Sequence, residues 1–373
     1  MSRKKTYIFL GTMAEVIKLA PVLQELQRRK IEFTIIASGQ TDIHFDEFKI
    51  FFKSPKVVYA ITPKNKESSI AKFSIWAMRA LFSSLIGLRP RFRGLNKTNS
   101  YFIVHGDTVS SLIGALVAHF YGLKIVHIES GLRSFNFIEP FPEEICRYIV
   151  SRLSDIHFCP NQWSVNNLKN VQGKKISTHQ NTLIESFDIA LHNKSKSIFV
   201  KSIQKKHSKF FVLVVHRQEH VLFNKNRTRN ELIYLLQHIP ENISCIFVVH
   251  DLSSMFINSL NNSLPRKTLR NIVLLKRLPY HEFMQLLQKA EFLITDGGSN
   301  QEEMYYMGKP CLLLRNFTER IEGLGDNVLL SKNNRFTIDY FVKHYKAFQR
   351  YPVSIQEKPS KIIADFLFSY EKR

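Results

Sequence analysis

The chain has 373 residues, 44% hydrophobic and 23% charged, which is a globular balance with enough material for two buried cores. Lysine and arginine number 53 against 31 acidic residues, and the net charge of +22 favours anionic partners such as nucleic acid, nucleotides or an acidic membrane face. The four cysteines form no CxxC pair, which argues against a disulfide framework and a structural zinc site.

The N-terminal segment is basic and then apolar for only a few residues, which is too short for the apolar region of a signal peptide. No later stretch reaches the roughly 18 consecutive apolar residues of a membrane span. We therefore predict a cytoplasmic protein.

Short runs of apolar, β-branched and aromatic residues alternate with longer amphipathic stretches. These runs predict strands at residues 7–10, 33–37, 101–104, 124–128, 211–215, 245–249, 271–275 and 292–294. A period of about 3.6 residues predicts helices at 15–29 and 108–121. Strands that alternate with helices in this way predict an α/β fold with parallel sheets.

A lysine-rich run marks the division of the chain. Residues 194–209 contain six lysines and no acidic residue, which predicts a solvated helix and a hinge. We place the domain boundary just before this region, with an N-terminal domain at residues 1–186 and a C-terminal domain at 187–357.

Residues 71–97 form a second unusual segment, in which six basic residues and many apolar ones occur without an acidic residue. A basic amphipathic helix of this kind can lie on an anionic membrane surface. The alternative is a helix that faces the core and is followed by a solvated basic loop, because any α/β domain needs apolar helix faces.

Two motifs follow predicted strands in the first half. Residues 11–15 read GTMAE, a strand-to-helix turn whose glycine permits close approach of a ligand. Residues 105–108 read HGDT, also at a strand end, where α/β sheets place ligand-binding loops. Asp107 is either a helix cap or a catalytic carboxylate.

A pair of glutamates follows the predicted strand at 124–128. Glu129 lies in HIESGLR, and Glu143 comes fourteen residues later in FPEE. Two carboxylates near one strand end suit paired acid and base chemistry, because neighbouring like charges raise the pKa of one of them. Exposed surface glutamates are the alternative.

Two motifs in the second half point to a nucleotide. His216 and Arg217 follow a predicted strand and offer a titratable imidazole beside a phosphate-binding guanidinium. Residues 296–303 read DGGSNQEE and open a helix, so that backbone amides can meet a phosphate and a glutamate one turn on can accept both ribose hydroxyls. The alternative for this segment is a glycine-rich turn with capping residues.

Taken together and in this order, these segments resemble the UDP-N-acetylglucosamine 2-epimerases of the non-hydrolysing bacterial type. That family reads Gly-Thr-Arg-Pro-Glu, His-Gly-Asp-Thr, His-Val-Glu-Ala-Gly-Leu-Arg, Pro-Glu-Glu, His-Arg-Arg-Glu and Ser-Gly-Gly-Ile-Gln-Glu-Glu. The resemblance also includes Asn181-Thr182 and spans roughly residues 7–330.

The resemblance implies two Rossmann-like domains with parallel sheets in the glycosyltransferase-B arrangement, with a ligand cleft between them. It also implies a C-terminal helix at about residues 358–373 that packs back on the first domain, no metal or redox cofactor, and a homodimer as the common assembly.

The implied reaction interconverts UDP-GlcNAc and UDP-ManNAc for surface polysaccharide synthesis, by eliminating UDP to give a 2-acetamidoglucal and adding it back. The implied catalytic residues are Asp107, Glu129, Glu143 and His216. The implied substrate and UDP contacts are Lys18, Arg147, Arg217, His250, Gly297, Gly298, Ser299, Glu303 and Arg320.

Several positions depart from the family pattern. The arginine of Gly-Thr-Arg-Pro-Glu is Met13, the proline is Ala14, and the second arginine of His-Arg-Arg-Glu is Gln218. Losing a charge-assisted contact weakens the stabilisation of the diphosphate by about 1.5–3 kcal/mol unless another residue replaces it.

Three alternatives therefore stay open. A glycosyltransferase of the same fold could use a membrane-associated acceptor, with the basic segment 71–97 as its docking surface. A hydrolysing epimerase would release ManNAc and UDP. A nucleic-acid-binding protein is suggested only by the charge and the lysine-rich run, which lacks the aromatic interleaving of single-strand binders.

Overall fold

The computed structural model describes residues 5–53, 57–59, 70–93, 95, 100–193, 197–217, 225–250 and 253–368. Contacts divide these residues into two compact units. The first contains the described parts of Met1–Ile138, Pro142–Ser186 and Ile355–Arg373, and the second contains those of Glu139–Phe141 and Phe187–Ser354. Each unit is built on one parallel sheet flanked by helices, so the predicted α/β class with two Rossmann-like halves is confirmed.

The first unit has a seven-stranded sheet in the order β3-β2-β1-β4-β5-β6-β7. Its strands are β1 (Thr6–Leu10), β2 (Phe33–Ala37), β3 (Val57–Tyr59), β4 (Tyr101–His105), β5 (Lys124–Ile128), β6 (Ile156–Cys159) and β7 (Lys174–Ser177). Its helices are α1 (Met13–Arg28), α2 (Ile70–Phe92), α3 (Val109–Phe120), α4 (Glu143–Leu153), α5 (Gln162–Asn167) and α6 (Leu183–His192), the last crossing into the second unit.

The second unit has a six-stranded sheet in the order β10-β9-β8-β11-β12-β13. Its strands are β8 (Phe210–Val214), β9 (Ser244–Val249), β10 (Ile272–Lys276), β11 (Leu293–Thr295), β12 (Cys311–Leu313) and β13 (Val328–Leu330). Its helices are α7 (Ile198–Lys206), α8 (Lys225–His238), α9 (Ser254–Ser263), α10 (Arg266–Arg270), α11 (Tyr280–Lys289), α12 (Gly298–Met307) and α13 (Arg335–His344).

The central strands of both sheets are buried on both faces, which is why their sequences are almost wholly apolar. Phe9 and Phe102 pack in the first core, and Phe211 stacks on Phe292 in the second with ring centroids 4.9 Å apart. All strands are parallel, so their carboxyl ends share one edge of each sheet.

A helix from the end of the chain completes the first unit. This helix, α14 (Pro359–Phe368), packs on α1. Asp365 pairs with Arg29 at 2.6 Å, and the backbone amide and hydroxyl of Ser360 both donate to the buried carboxylate of Glu185, each at 2.7 Å. Residues 369–373 of the predicted C-terminal helix lie outside the described part of the chain.

The two unusual segments of the sequence are partly described. Most of the predicted basic stretch 71–97 lies in α2, and residues 94 and 96–97 lie outside the described ranges. The lysine-rich run includes α7, while residues 194–196 are also outside. None of the described helices has both the length and the apolar character to cross a bilayer.

Candidate functional site

Two predicted catalytic residues follow neighbouring strands of the first sheet. Asp107 lies just beyond β4 and Glu129 just beyond β5, and these strands pair with His105 opposite Ile128. A Cβ placed on Gly106 would lie 3.6 Å from the Glu129 carboxylate, so the two turns are in close contact. Parallel pairing therefore brings both carboxylate-bearing turns to one edge of the sheet.

Glu129 accepts hydrogen bonds from two polar side chains, lies near a third and has an unusual backbone conformation. The Lys18 ammonium lies 2.8 Å from Oε1, the Asn181 amide donates to Oε2 at 2.7 Å, and His105 Nε2 is 3.7 Å from Oε2. The side chain is almost fully buried, and its backbone φ is +62°, in the left-handed region that non-glycine residues rarely adopt. The carboxylate is thus held in position and in direction.

Asp107 belongs to a separate ion-pair network. Its Oδ2 accepts from the Arg147 guanidinium, which also donates to Glu144 Oε2 at 3.0 Å. Glu144 is fully buried and accepts further bonds from the Arg133 side chain and from the Ser134 amide at 3.0 Å. Glu144 therefore organises the loop before α4 and fixes Arg147, which in turn holds Asp107.

Glu143 opens α4 and is half-buried, one residue before the fully buried Glu144. Burial raises the pKa of the nearby Cys146 thiol, and the negative charges of Asp107 and Glu143 raise it further. Glu143 therefore lies in the neighbourhood of Asp107. Its position in the first turn also suits a carboxylate, because the helix N-terminus carries partial positive charge.

The first turn of α1 forms a capping box. Thr12 caps the helix, and the carboxylate of Glu15 accepts bonds from the Gly11 amide and the Thr12 amide, both at 2.8 Å. Thr108 and Ser111 donate to its other oxygen at 2.8 and 2.9 Å. Burial nevertheless raises the pKa of Glu15. This carboxylate therefore ties the turn after β1 to the turn after β4.

The nucleotide motif forms the N-terminus of α12 in the second unit. Gly297 caps this helix without a side-chain hydrogen bond, so its first turn presents backbone amides. A Cβ on Gly297 would lie 2.7 Å from His216 Cε1, and one on Gly298 would lie 2.6 Å from Glu319 Oε1. Both glycines are therefore required by close packing, and Ser299 follows in the first turn.

Glu303 lies one turn further along α12 and is buried. Asn300 donates to its Oε2 at 2.8 Å. Burial and the adjoining Glu303 carboxylate raise the pKa of Tyr280. Glu303 thus lies beside the polar side chains of Asn300 and Tyr280, one helical turn from the glycines.

His216 and Arg217 follow β8, beside the end of β11. The fully buried carboxylate of Asp296 accepts from the His216 amide at 3.0 Å and the Arg217 amide at 2.9 Å. Asp296 Oδ1 also lies 3.1 Å from His216 Nδ1. Asp296 therefore fixes the turn that carries both predicted residues.

His250 follows β9, and its ring centroid is 5.2 Å from that of His216. Burial lowers the pKa of His250 to about 4, and the neighbouring His216 and Arg277 lower it as well. His250 is therefore neutral near pH 7 and can act as a hydrogen-bonding group rather than a cation.

The arginines predicted to bind the substrate are engaged with carboxylates of their own unit. Arg217 lies 3.3 Å from Glu319, which also pairs with Arg315 at 3.0 Å. Arg320 pairs with the buried Glu302, and Glu302 accepts from Tyr306 at 2.5 Å. This buried network packs against the first turn of α12 and stabilises it.

The sequence motifs located the strand ends correctly but missed several partners. Glu15, Asn181 and Asp296 occur in quoted motifs and were not predicted as site residues, and Glu144 was passed over for Glu143. A carboxylate directly before Gly-Gly at a strand end was the available signal for Asp296. Within the described residues, no cluster of His, Cys, Asp and Glu side chains could hold a metal ion.

A buried histidine in the first unit predicts a pH-dependent stability. His127 Nε2 contacts the Gly106 carbonyl at 2.7 Å, and burial, together with His157, lowers the pKa of His127 to about 3. In the unfolded chain His127 binds a proton as the pH falls through about 6.5, whereas in the folded chain it stays neutral until about pH 3. We therefore expect this histidine to reduce the free energy of unfolding by about 1.4 kcal/mol per pH unit below pH 6.5, down to about pH 3.

Urea unfolding between pH 7 and 5 measures this effect. The variant His127→Gln, which keeps an amide donor for Gly106, should show a shallower decline of stability with acid than the wild type. Parallel declines in the two proteins would contradict the assignment.

The family comparisons converge on one group of proteins. A family model described as UDP-N-acetylglucosamine 2-epimerase matches residues 24–350. A UDP-N-acetylglucosamine 2-epimerase of Methanocaldococcus jannaschii is 31% identical over 346 residues, which are 88% of this chain and 89% of that protein.

Solved structures agree with these sequence matches. The crystal structure of the M. jannaschii UDP-GlcNAc 2-epimerase in complex with UDP-GlcNAc and UDP has a TM-score of 0.80 and 28% identity, over 98% of this chain and 99% of that one. The Neisseria meningitidis UDP-GlcNAc 2-epimerase bound to UDP-GlcNAc has a TM-score of 0.77 and 26% identity, over 98% of this chain and all of that one.

Proposed function

The chain belongs to the UDP-N-acetylglucosamine 2-epimerase family, as its motifs indicated, and from this premise we propose that it interconverts UDP-GlcNAc and UDP-ManNAc. In the proposed reaction the C2 proton and the C1-linked UDP are eliminated to leave a 2-acetamidoglucal. UDP then adds back at C1, and C2 receives a proton on its opposite face.

The observation that carries this proposal is a pair of carboxylates, each with its own cation, at adjacent strand ends. Lys18 neutralises Glu129 and Arg147 neutralises Asp107. Inversion at C2 requires a proton to leave one face of the sugar and to arrive on the other, so two proton-carrying groups are needed. Asp107 and Glu129 are the proposed pair, and Glu143 is the third proposed catalytic carboxylate.

We assign nucleotide binding to the second unit. The amides of Gly298 and Ser299 at the start of α12 suit the diphosphate, and the buried carboxylate of Glu303 suits the ribose hydroxyls. His216 is the proposed catalytic imidazole, and the neutral His250 is a proposed neighbour of the nucleotide. Arg217 and Arg320 contribute through the buried carboxylates that they pair with.

Because Met13 replaces the family arginine, the diphosphate must be bound by these other groups. Met13 is the first residue of α1 and its side chain is buried, so no cation stands where the family has arginine. Lys18, in the next turn, is paired with Glu129. We propose that diphosphate affinity in this protein depends mainly on the second unit.

Proton NMR of UDP-GlcNAc incubated with the protein in deuterium oxide tests the proposed function. We expect the C2 proton signal to disappear as deuterium enters C2, and anomeric signals of UDP-ManNAc to grow. Free ManNAc with UDP would instead indicate the hydrolysing reaction. Binding of UDP without exchange at C2 would refute epimerisation of this substrate and favour a transferase.

We also propose that α2 attaches the protein peripherally to anionic membranes. Ile75, Met78, Phe82 and Ile86, spaced three or four residues apart, are each more than half exposed, while Trp76 and its neighbours on the opposite face are buried. Basic side chains flank this apolar stripe and α2 contains no acidic residue. An isologous contact with a second copy would bring these like charges together, whereas anionic lipid would neutralise them.

Co-sedimentation with phosphatidylglycerol-containing vesicles tests this proposal, and neutral phosphatidylcholine vesicles serve as the reference. The double variant Phe82→Glu/Ile86→Glu should bind the anionic vesicles at least about tenfold more weakly. Phe336→Glu, at an exposed phenylalanine of α13, is the matched control and should bind like the wild type. Loss of a solution dimer in the double variant, without vesicle binding by the wild type, would assign the stripe to a second copy.

A further inference from the structure

Asn181 contacts one of the proposed catalytic carboxylates directly. It lies between β7 and α6 and is buried, and its side-chain amide donates to Glu129 Oε2 at 2.7 Å. The Lys18 ammonium, from α1, donates to the other carboxylate oxygen, Oε1, at 2.8 Å. Two donors from different elements therefore hold the two oxygens of Glu129.

The orientation of the Asn181 amide is set by its oxygen. Oδ1 accepts from the Leu183 backbone amide at 3.2 Å and from the Thr182 hydroxyl at 3.3 Å. Turning the amide over would place two acceptor oxygens, Asn181 Oδ1 and Glu129 Oε2, against each other, and would aim the amide hydrogens at the Leu183 N–H. The hydrogen-bond network therefore assigns the NH2 group to Glu129.

The segment that carries Asn181 is itself fixed to α1. The Asn181 carbonyl accepts from the Ile184 amide at 3.1 Å, in the first turn of α6. The Ser186 hydroxyl, in the same helix, donates to the Ile17 carbonyl at 2.5 Å. Because Ile17 immediately precedes Lys18, both donors to the carboxylate belong to one packed part of the first unit.

Glu129 needs such contacts because its backbone φ of +62° is costly for a residue other than glycine. The third polar neighbour, His105, has its Nε2 3.7 Å from Oε2, which is longer than a hydrogen bond. Of these two neighbours of Oε2, Asn181 is therefore the one within hydrogen-bond distance.

We propose that Asn181 is a positioning residue whose side-chain amide fixes the direction of the Glu129 carboxylate for proton transfer at C2 of the sugar. This inference rests on the proposed function and deepens it, because it assigns Glu129 its part in that reaction. The physical basis is that proton transfer needs a precisely placed acid or base, and a misplacement of about 1 Å can lower the rate about 100-fold.

The first test measures unfolding and needs no turnover. Asn181→Asp keeps the size of the side chain and the oxygen that accepts from Leu183, but it replaces the donor to Glu129 by a second carboxylate. Both tryptophans of the chain, Trp76 and Trp163, lie in the first unit, so their fluorescence reports its unfolding in urea.

We expect Asn181→Asp to raise the unfolding equilibrium constant of the otherwise wild-type protein at least about tenfold, as for the loss of a hydrogen bond to a charged group. In a Glu129→Gln background the increase should be less than about threefold, because the glutamine amide can donate to the new carboxylate. Equal increases in the two backgrounds would overturn the proposal.

The second test measures C2-proton exchange in UDP-GlcNAc. Asn181→Asp should lower kcat about 100-fold and change KM less than about threefold, because the proposed nucleotide contacts lie in the second unit. In the Glu129→Gln background the same substitution should have no further effect on the residual rate. An unchanged kcat, or equal losses in the two backgrounds, would overturn the proposal.

Asn334→Asp is the matched control for both tests. The side chain of Asn334 also accepts from a backbone amide at the start of a helix, that of Phe336 in α13 at 2.9 Å, and it is exposed in the second unit. This variant should keep the unfolding equilibrium constant and the kcat of the wild type.

Failure of the proposed function and failure of this inference give different results. If the wild type does not exchange the C2 proton of UDP-GlcNAc, the proposed function is wrong, and the role of Asn181 in it falls as well. If the wild type exchanges this proton but the effects of Asn181→Asp are equal in the two backgrounds, the function stands and this inference alone is wrong.

Discussion

Glu129→Gln should reduce C2-proton exchange in UDP-GlcNAc by about 100- to 10,000-fold, the range expected when a positioned acid or base is removed. Glutamine keeps the size and the hydrogen-bonding ability of the side chain but cannot carry the proton. The substitution also leaves the Lys18 ammonium buried without its partner at 2.8 Å. Losing one partner of a buried ion pair costs about 3–5 kcal/mol of unfolding free energy, so the variant should melt earlier as well.

A second variant separates the loss of C2-proton exchange from the loss of unfolding free energy. In Lys18→Met/Glu129→Gln both charges are absent, so much of the stability should return while exchange stays lost. Glu185→Gln is the matched control: Glu185 is a buried glutamate of the same unit that accepts from Ser360, and it lies outside the two turns that we propose to be catalytic. The Glu185→Gln variant should retain C2-proton exchange in UDP-GlcNAc. Recovery of exchange in the double variant would contradict a role for Glu129 in proton transfer.

Gly298→Ala should weaken UDP binding about 10- to 100-fold, which corresponds to losing a charge-assisted hydrogen bond to phosphate. The added Cβ would lie 2.6 Å from Glu319 Oε1 and 3.1 Å from Arg320 Nε. Glu319 cannot yield easily, because Arg217 and Arg315 hold it at 3.3 and 3.0 Å. The first turn of α12 must therefore shift, and its amides with it.

Isothermal titration calorimetry measures the UDP affinity of Gly298→Ala and of the wild type. Ser263→Ala, at an exposed serine of α9 in the same unit, is the matched control and should keep the UDP affinity of the wild type. Unchanged UDP affinity in Gly298→Ala would place the diphosphate elsewhere.

The predicted strands have apolar runs of four or more residues, except the three-residue β11. Five strands were missed: β3, β6, β7, β12 and β13. Strands β3, β12 and β13 have only three residues each, which is too few to show a period. Strand β7 reads KKIS and lies at the edge of its sheet, where polar side chains are tolerated. β6 contains a histidine, buried in the structure, that interrupts its apolar run.

Two carboxylates of the proposed site, Asp107 and Glu129, could be predicted because they follow recognisable strands, but their partners could not. Lys18 and Glu129 are 111 positions apart in the sequence, and only the fold brings them within 2.8 Å. Lys18 and Arg217 were expected to face a diphosphate because a sequence motif does not reveal which carboxylates compete for a cation. Asp296 was visible as a helix-opening residue, while its contact with His216 depends on the pairing of β8 with β11.

The return of α14 to α1 has a consequence for biosynthesis. The segment that covers α1, with Ile363 and Leu367 buried in it, is translated after all 168 residues of Phe187–Ser354. At about 5–20 residues per second, the ribosome needs roughly 10 to 30 s to make that insertion. Throughout this interval the face of α1 that α14 covers lacks that helix, and we expect chaperones that bind apolar surfaces to reach the nascent first unit there.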